Sequence, residues 1–223
     1  MGSLVAPLMT TTFAPEKRSG ANVVVTSGAT SEPIDPVRVL TNRASGKTGR
    51  AVARACYALG ADVTLVHQGE DVPYAEVERV ETAEEMTEAA VERATTGAAD
   101  ALVSAAAISD YTVEAADEKI RSGRDLTLEL SPTPKLIDSV REVSDLPIVG
   151  FKAETSGDDE AMVGAARETL RRADLSFVVA NDASVMGDDE TRTLFVRENS
   201  VREHEGTKAQ LGRRVAEQLA DEL

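Results

Sequence analysis

Short apolar runs alternate with helical stretches along this chain, and several of the runs leave no wet side. "ANVVVTSG", "ADVTLVHQG", "ADALVSAAAISDY", "LPIVGFKAET" and "LSFVVAND" read as strands, with "VERVETA" as a shorter one. A strand that is apolar on both sides must be covered on both faces, the usual condition of a parallel sheet. Helical periodicity follows over 47–59, with Gly60 as its stop, and again in "EEMTEAAVERAT", "KLIDSVREV", "DDEAMVGAARETLRRA" and "TKAQLGRRVAEQLADEL". The expected fold is therefore α/β, a Rossmann-like parallel sheet with helices on both faces. Two stretches do not fit that rhythm. "DLTLEL" alternates in period two and predicts a half-buried strand, and "TRTLFVREN" reads as an exposed strand or hairpin. No internal repeat is visible.

Composition sets the limits. The 223 residues are 42% hydrophobic, enough for one sizeable core, but only 3% are aromatic and Trp is absent. That core has to be built from Val, Leu, Ile and Ala. "MGSLVAPLMTTTFAPEKRSG" lacks a basic start and a continuous apolar stretch, so residues 1–20 are expected to be a flexible leader before a single domain over 21–223. Nothing approaches the ~20 apolar residues of a membrane span. The lone Cys56 forms no internal disulfide and reads as core packing in a reducing, cytoplasmic setting.

A formal net charge of −15 argues against a nucleic-acid partner, which needs a basic footprint. The acids are dispersed, and lysine is confined to Lys17, Lys47, Lys119, Lys135, Lys152 and Lys208. A dispersed acidic surface with so few lysines fits a high-salt cytoplasm, where short screening lengths blunt self-repulsion.

In a doubly covered parallel sheet, ligands sit beyond the carboxyl ends of the strands. Those ends carry "TSGATSEP", "SAAAISDY", "GFKAET" and "VAND", each mixing small residues with a polar group. The Gly-Lys-Thr of "LTNRASGKTGRAVARAC" is not a P-loop, because Thr41 stands where the first glycine belongs. Nor is it a full dinucleotide fingerprint. Gly46 and Gly49 keep the second half of that spacing, but Ala44 replaces its first glycine. About twenty residues separate the first strand from its helix, where roughly two to six is usual. Arg38, Asn42, Arg43, Ser45 and Lys47 are the polar candidates there, and N–H groups from Gly46 to Gly49 could receive a phosphate. An ordinary N-cap at Ser45 with a solvated Lys47 explains the same letters.

Asp110 ends a strand of small residues and suits a turn cap, a ribose hydroxyl or Mg²⁺. Lys119 lies on a polar, glycine-containing stretch that could close over a triphosphate. Lys135 stands in the first turn of a helix, against its dipole, and hints at a nearby anion. His67 and His204 read as surface or strand-end residues. The sequence shows neither a metal-ligand cluster nor a nucleophile elbow.

Taken in order, these stretches resemble phosphopantothenoylcysteine synthetase, the coenzyme A pathway ligase often fused to a flavin-dependent decarboxylase. The resemblance rests on "TSGATSEPIDPVRVLTNRASGKTG", "SAAAISDY", "EKIR", a Leu-x-Leu strand before a Pro-containing helix start, "GFKAET" and "VAND". It runs from about Val23 to the C-terminus, and with the acidic composition it suggests a halophilic archaeon as the source. It implies ligation of 4′-phosphopantothenate to L-cysteine through an acyl-nucleotide, with CTP or ATP as co-substrate and Mg²⁺ as cofactor.

By that resemblance Asn42 and Lys119 would be catalytic, Asn42 holding the acyl-nucleotide and Lys119 the triphosphate. Gly28, Gly46 and Gly49 would allow close backbone approach to the nucleotide. Asp110, Pro134, Lys135, Leu136, Ile137, Phe151 and Asn181 would contact it, while Ala106 and Asp110 would also meet substrate. The family is dimeric, with a strand-rich dimerisation extension for which "DLTLEL" and "TRTLFVREN" are candidates. A phosphopantothenoylcysteine decarboxylase, absent from the stretch upstream, would be a separate partner chain or a removed half.

Departures from the family pattern are equally visible. The bacterial lid usually has Lys-x-Lys-Lys, but here Ile120, Arg121 and Ser122 follow Lys119, leaving Arg121 and Arg124 as its other cations. Thr169 and Ala173 stand where bacterial members carry helix lysines, with Arg171 and Arg172 adjacent, so the base remains CTP or ATP. Lys152 replaces a common alanine. Two rivals share the strand–helix pattern: an NAD(P)-dependent reductase, with Glu70 or Asp71 as its ribose acid, and a non-catalytic nucleotide-binding module.

Overall fold

A computed structural model describes residues 20–154, 158–182 and 190–223. The expected leader lies almost wholly outside them. The chain enters on β1 (Asn22–Thr26), turns through a hairpin of β2 (Ser31–Asp35) and β3 (Arg38–Thr41), and forms α1 (Lys47–Ala58). Then come β4 (Asp62–His67), β5 (Glu76–Arg79), α2 (Ala83–Thr95), β6 (Ala101–Ser104), β7 (Tyr111–Val113), β8 (Leu130–Pro132) and α3 (Leu136–Val143). The last part is β9 (Ile148–Glu154), α4 (Asp159–Arg172), β10 (Phe177–Asp182), β11 (Glu190–Val196), β12 (Val201–Thr207) and α5 (Lys208–Ala220).

Eight strands form the main sheet in the order β12-β11-β10-β9-β6-β1-β4-β5. From β5 to β10 all pairings are parallel, and β11 and β12 add an antiparallel edge. The period-two geometry of a strand divides the core in two. Val23 and Val25 of β1 join Val52 and Cys56 of α1 and Leu211 and Val215 of α5 on one face. Val24 joins Met86 of α2, Val140 of α3 and Ala166 of α4 on the other. Burial of each such side chain stabilises the fold by about 1.5–3 kcal/mol. Aromatic scarcity is met by close approach. A Cβ on Gly212 of α5 would lie 2.5 Å from the carbonyl carbon and oxygen of Ala51 in α1.

Two expectations are corrected. "TRTLFVREN" is not exposed: it supplies β11, in which Leu194 and Val196 enter one core cluster and Phe195 the other. Its polar flanks concealed a strand covered on both faces, and the outer edge falls to β12. "DLTLEL" has no buried face, since only its last residue reaches β8, and Leu126 and Leu130 are exposed. The strand-rich part outside the main sheet is instead β2–β3 and β7–β8, two small antiparallel pairs.

The long connection after β1 is thus largely the β2–β3 hairpin. Buried Glu32 fastens it to the start of α2 by accepting the Ala83 N–H at 2.9 Å. At its turn the Asp35 side chain is fully covered. Burial opposes its charge, but the N–H groups of Val37 and Ile120 and the guanidinium of Arg38 outweigh that and bring its pKa down to about 2.

Two tests follow from the packing. Gly212→Ala forces α5 away from α1 and should destabilise the chain by about 1–3 kcal/mol in urea unfolding at fixed salt, whereas an unchanged midpoint would mean the helices separate freely. Because the folded value for Asp35 lies below the ordinary 3.8, its charged form supports the fold above about pH 4, and that support disappears as pH falls towards about 2. Asp35→Asn should therefore be less stable than the native chain at neutral pH, the gap closing over that interval. A gap independent of pH would contradict the assignment.

Candidate active site

The chain runs from β1 outward to β4 and β5, then crosses back to place β6 on the other side of β1. Connections leave β1 and β6 in opposite directions, so a crevice opens above their carboxyl ends. A cavity of about 370 Å³ occupies it, and a smaller one of about 140 Å³ lies beside it. Gly28, Gly46, Gly49, Ala106, Asp110, Phe151 and Asn181 line the larger. Asp110 also lines the smaller, with Pro134, Lys135, Leu136 and Ile137. Residues from six separate stretches of sequence thus meet around Asp110.

The local geometry explains the small residues. Ser27, just past β1, donates its hydroxyl to the Gly46 carbonyl at 2.9 Å. Gly46 is left-handed (φ 69°), and a Cβ on Gly49 would lie 2.5 Å from the Ser27 hydroxyl oxygen. Gly49 therefore does what the last glycine of a dinucleotide fingerprint does, allowing helix and strand to touch. Gly28, also left-handed (φ 85°), lets the Ala107 N–H reach its carbonyl at 2.8 Å. Ser45 is not the N-cap. Gly46 is, with no side-chain cap and no acid in the first turn, so the positive end of α1 opens on the cavity. The α3 N-terminus, also without a side-chain cap, lies at the smaller cavity. By contrast α2, α4 and α5 are capped by Thr82, Asp158 and Thr207.

Charge is concentrated here against the trend of the chain. Lys47, Lys152 and Lys208 line the larger cavity and Lys135 the smaller, four of the protein's six lysines. Asp110 is the one carboxylate lining the larger cavity among the described residues. Thr193 of β11 also lines it, buried, with a hydroxyl that has no hydrogen-bond partner. Sequence reading passed over Thr191, Thr193, Lys208 and Leu211, which the antiparallel return through β11 carries to the crevice. The first turn of α5, with a lysine against the dipole, was the one available signal.

Asn42 stands just behind the wall. Its Nδ2 donates to the Ala107 carbonyl at 2.5 Å, and its Oδ1 accepts the Ala44 N–H at 3.0 Å. Both partners line the cavity; Asn42 itself does not. Lys119 is exposed on the connection between β7 and β8 and lines neither cavity, and Arg121 and Arg124 are exposed beyond it. Arg171 is paired with Glu198 at 2.8 Å, while Arg172 holds Asp138 at the rim of the smaller cavity.

The other candidates lie apart. Burial pushes the Cys56 thiol up to about 12, leaving it unreactive inside the core. His67 ends β4 but is buried, and burial, then the charge of Arg50, hold its pKa below the usual value. No three His, Cys, Asp or Glu side chains gather as a metal site among the described residues, and no helix there is long and apolar enough to cross a membrane.

Lys135 Nζ meets Asp110 at 2.6 Å, with both side chains more than half exposed. Such a pair is worth at most about 1 kcal/mol. Lys135→Ala should leave the unfolding midpoint nearly unchanged yet weaken binding of a nucleoside triphosphate several-fold by calorimetry. Equal affinities would remove Lys135 from the site.

The sequence profile of the DNA/pantothenate metabolism flavoprotein C-terminal domain matches residues 18–223. The coenzyme A biosynthesis bifunctional protein CoaBC of Thermococcus kodakarensis is 43% identical over 214 residues, covering 94% of this chain and 52% of that protein. Its counterpart in Methanocaldococcus jannaschii is 36% identical, covering 91% and 51%. This chain spans about half the length of those curated relatives. A crystal structure of the C-terminal domain of a CoaBC protein superposes with a TM-score of 0.76 at 28% identity, covering 91% of this chain and 95% of that one.

Proposed function

The chain belongs to the DNA/pantothenate metabolism flavoprotein C-terminal domain family, and on that premise we propose that it is a phosphopantothenate–cysteine ligase acting in coenzyme A biosynthesis. Its substrates are 4′-phosphopantothenate, L-cysteine and a nucleoside triphosphate, CTP or ATP. The observation that carries the reading is the gathering of four of six lysines, with the open end of α1, around a crevice in a chain of net charge −15. Such a crevice suits a polyanion.

In the first step the pantothenate carboxylate attacks the α-phosphorus and pyrophosphate departs, giving an acyl-nucleotide. The cysteine amine then attacks the acyl carbon, forms the amide and releases the nucleoside monophosphate. Cations and first-turn N–H groups of α1 stabilise charge as it shifts to pyrophosphate. The Asn42 amide has two N–H groups, and one is used on Ala107. Its second donates to the acyl-nucleotide. Phe151 and the alanines from 105 to 107 give the activated acyl group a wall poor in water. Lys119 reaches the triphosphate from the β7–β8 connection.

The donor set fits Mg²⁺, which commonly takes one or two carboxylates together with substrate phosphates. Asp110, at the rim of both cavities, would hold it. When bound, the ion supplies further neutralisation of the triphosphate.

A homodimer is supported by apolar side chains left uncovered on the strand-rich extension: Val37, Val39, Tyr111, Leu126 and Leu130 are each at least 45% exposed. The protein works in the cytoplasm, at high salt, with a phosphopantothenoylcysteine decarboxylase as its pathway partner. The nicotinamide alternative is weakened at the strand beside β1, which ends in buried His67, while Asp71 is taken by Arg79.

With phosphopantothenate, cysteine, Mg²⁺ and CTP or ATP at high salt, the chain should release pyrophosphate only when phosphopantothenate is present. Hydride transfer to a nicotinamide without pyrophosphate would overturn the proposal. Asn42→Asp should stay folded and lose turnover about 100-fold or more, as removal of a donor to a reacting centre does. Native turnover in that variant would clear Asn42 of any part in the chemistry.

A further inference from the structure

Asp35 does more than close the turn of the β2–β3 hairpin. Its bond from the Val37 N–H at 2.9 Å is what an Asp contributes to a local turn. A second bond leaves the hairpin altogether, from the Ile120 N–H at 3.0 Å, 85 positions away. Arg38, paired with Asp35 at 2.5 Å, donates to the Ile120 carbonyl. Both main-chain groups of one residue are thus taken by the two side chains of an ion pair, as a neighbouring strand would take them. The Ala116 N–H adds a third tie, to the Ile34 carbonyl at 3.0 Å.

Lys119 falls between these anchors, one residue from the clamp. Past it, residues 121–129 have no regular structure and are exposed except for partly buried Leu128. The clamp at Ile120 therefore ties down the chain beside Lys119, just before an exposed stretch without regular structure. The same hairpin leads from the clamp to Asn42: the clamp sits where β3 begins, and Asn42 follows β3 immediately.

We propose that Asp35 and Arg38 are positioning residues that hold the base of the Lys119 segment, so that its ammonium group meets the triphosphate from a fixed point. The proposal rests on the ligase reading given above. Ordering the segment in advance removes a conformational cost that nucleotide binding would otherwise bear. The clamp touches no substrate itself, so its effect is routed through Lys119.

The test uses the full chain with Asp35→Asn, Arg38→Ala, Lys119→Ala and the doubles Asp35→Asn/Lys119→Ala and Arg38→Ala/Lys119→Ala. Asparagine keeps an acceptor for Val37, which favours folding, and Arg38→Ala probes the same clamp from its other side. Amide exchange at Ile120 should quicken about tenfold or more in Asp35→Asn and Arg38→Ala, and by a larger factor than at the core amides of β1 and β6, which report the global stability. The nucleotide KM should rise several-fold in both while the cysteine KM stays put, and each double variant should be no worse than Lys119→Ala alone. Unaltered exchange at Ile120, or losses that multiply in the doubles, would overturn the proposal. A native chain that releases no pyrophosphate would remove the ligase reading and the positioning role together, even with Ile120 protected.

Discussion

Between Ser27 and Gly49 there is no room for a methyl group, and that contact determines where α1 begins. Ser27 directly follows β1, and its hydroxyl also holds the Gly46 carbonyl. The helix is thereby drawn down on the strand end, with its unbonded N–H groups over the crevice. A larger residue at 49 would lift the helix, move those groups and widen the gap that Gly28 and Ala107 close. The site is therefore a consequence of close packing between β1 and α1. Its floor is as rigid as the core beneath it.

Electrostatics adds a second layer. Most of the surface is acidic, and arginine is the usual cation, engaged in pairs such as Arg171–Glu198 and Arg192–Asp159. Lysine is reserved largely for the two cavities. Arginine's planar fork binds carboxylates in fixed geometry, whereas an ammonium is a compact charge on a flexible stem. A cleft that must follow phosphate charge between bound and departing groups is better served by the second.

How far the letters could be read depended on how local the cause was. The continuous apolar strands and the helices between them announced a doubly covered parallel sheet, and Gly60 and the capping residues marked helix ends, because backbone preference and burial act within a few residues. "TRTLFVREN" was misread because a short apolar run between polar letters does not reveal whether layers cover it on both sides. "DLTLEL" was misread for the opposite reason, since its apolar alternation has no cover within one chain. At the site, Asp110 was visible as a polar residue after a run of small ones, and Phe151 and Asn181 through the family resemblance. Thr193 and Lys208 were not, being ordinary letters in their own neighbourhoods.

By itself the sequence settled the architecture and the edge of the sheet on which a ligand would lie, since both follow from local periodicity and from the rule that parallel strands carry their loops on one rim. Tertiary structure alone decided which side chains meet there. It turned Asn42 towards Ala107, brought Lys208 across from the last helix and gave Ile120 its partners in Asp35 and Arg38. The hydrogen bonds among them span 65 to 85 positions, and only the order of strands in the fold makes such distances short.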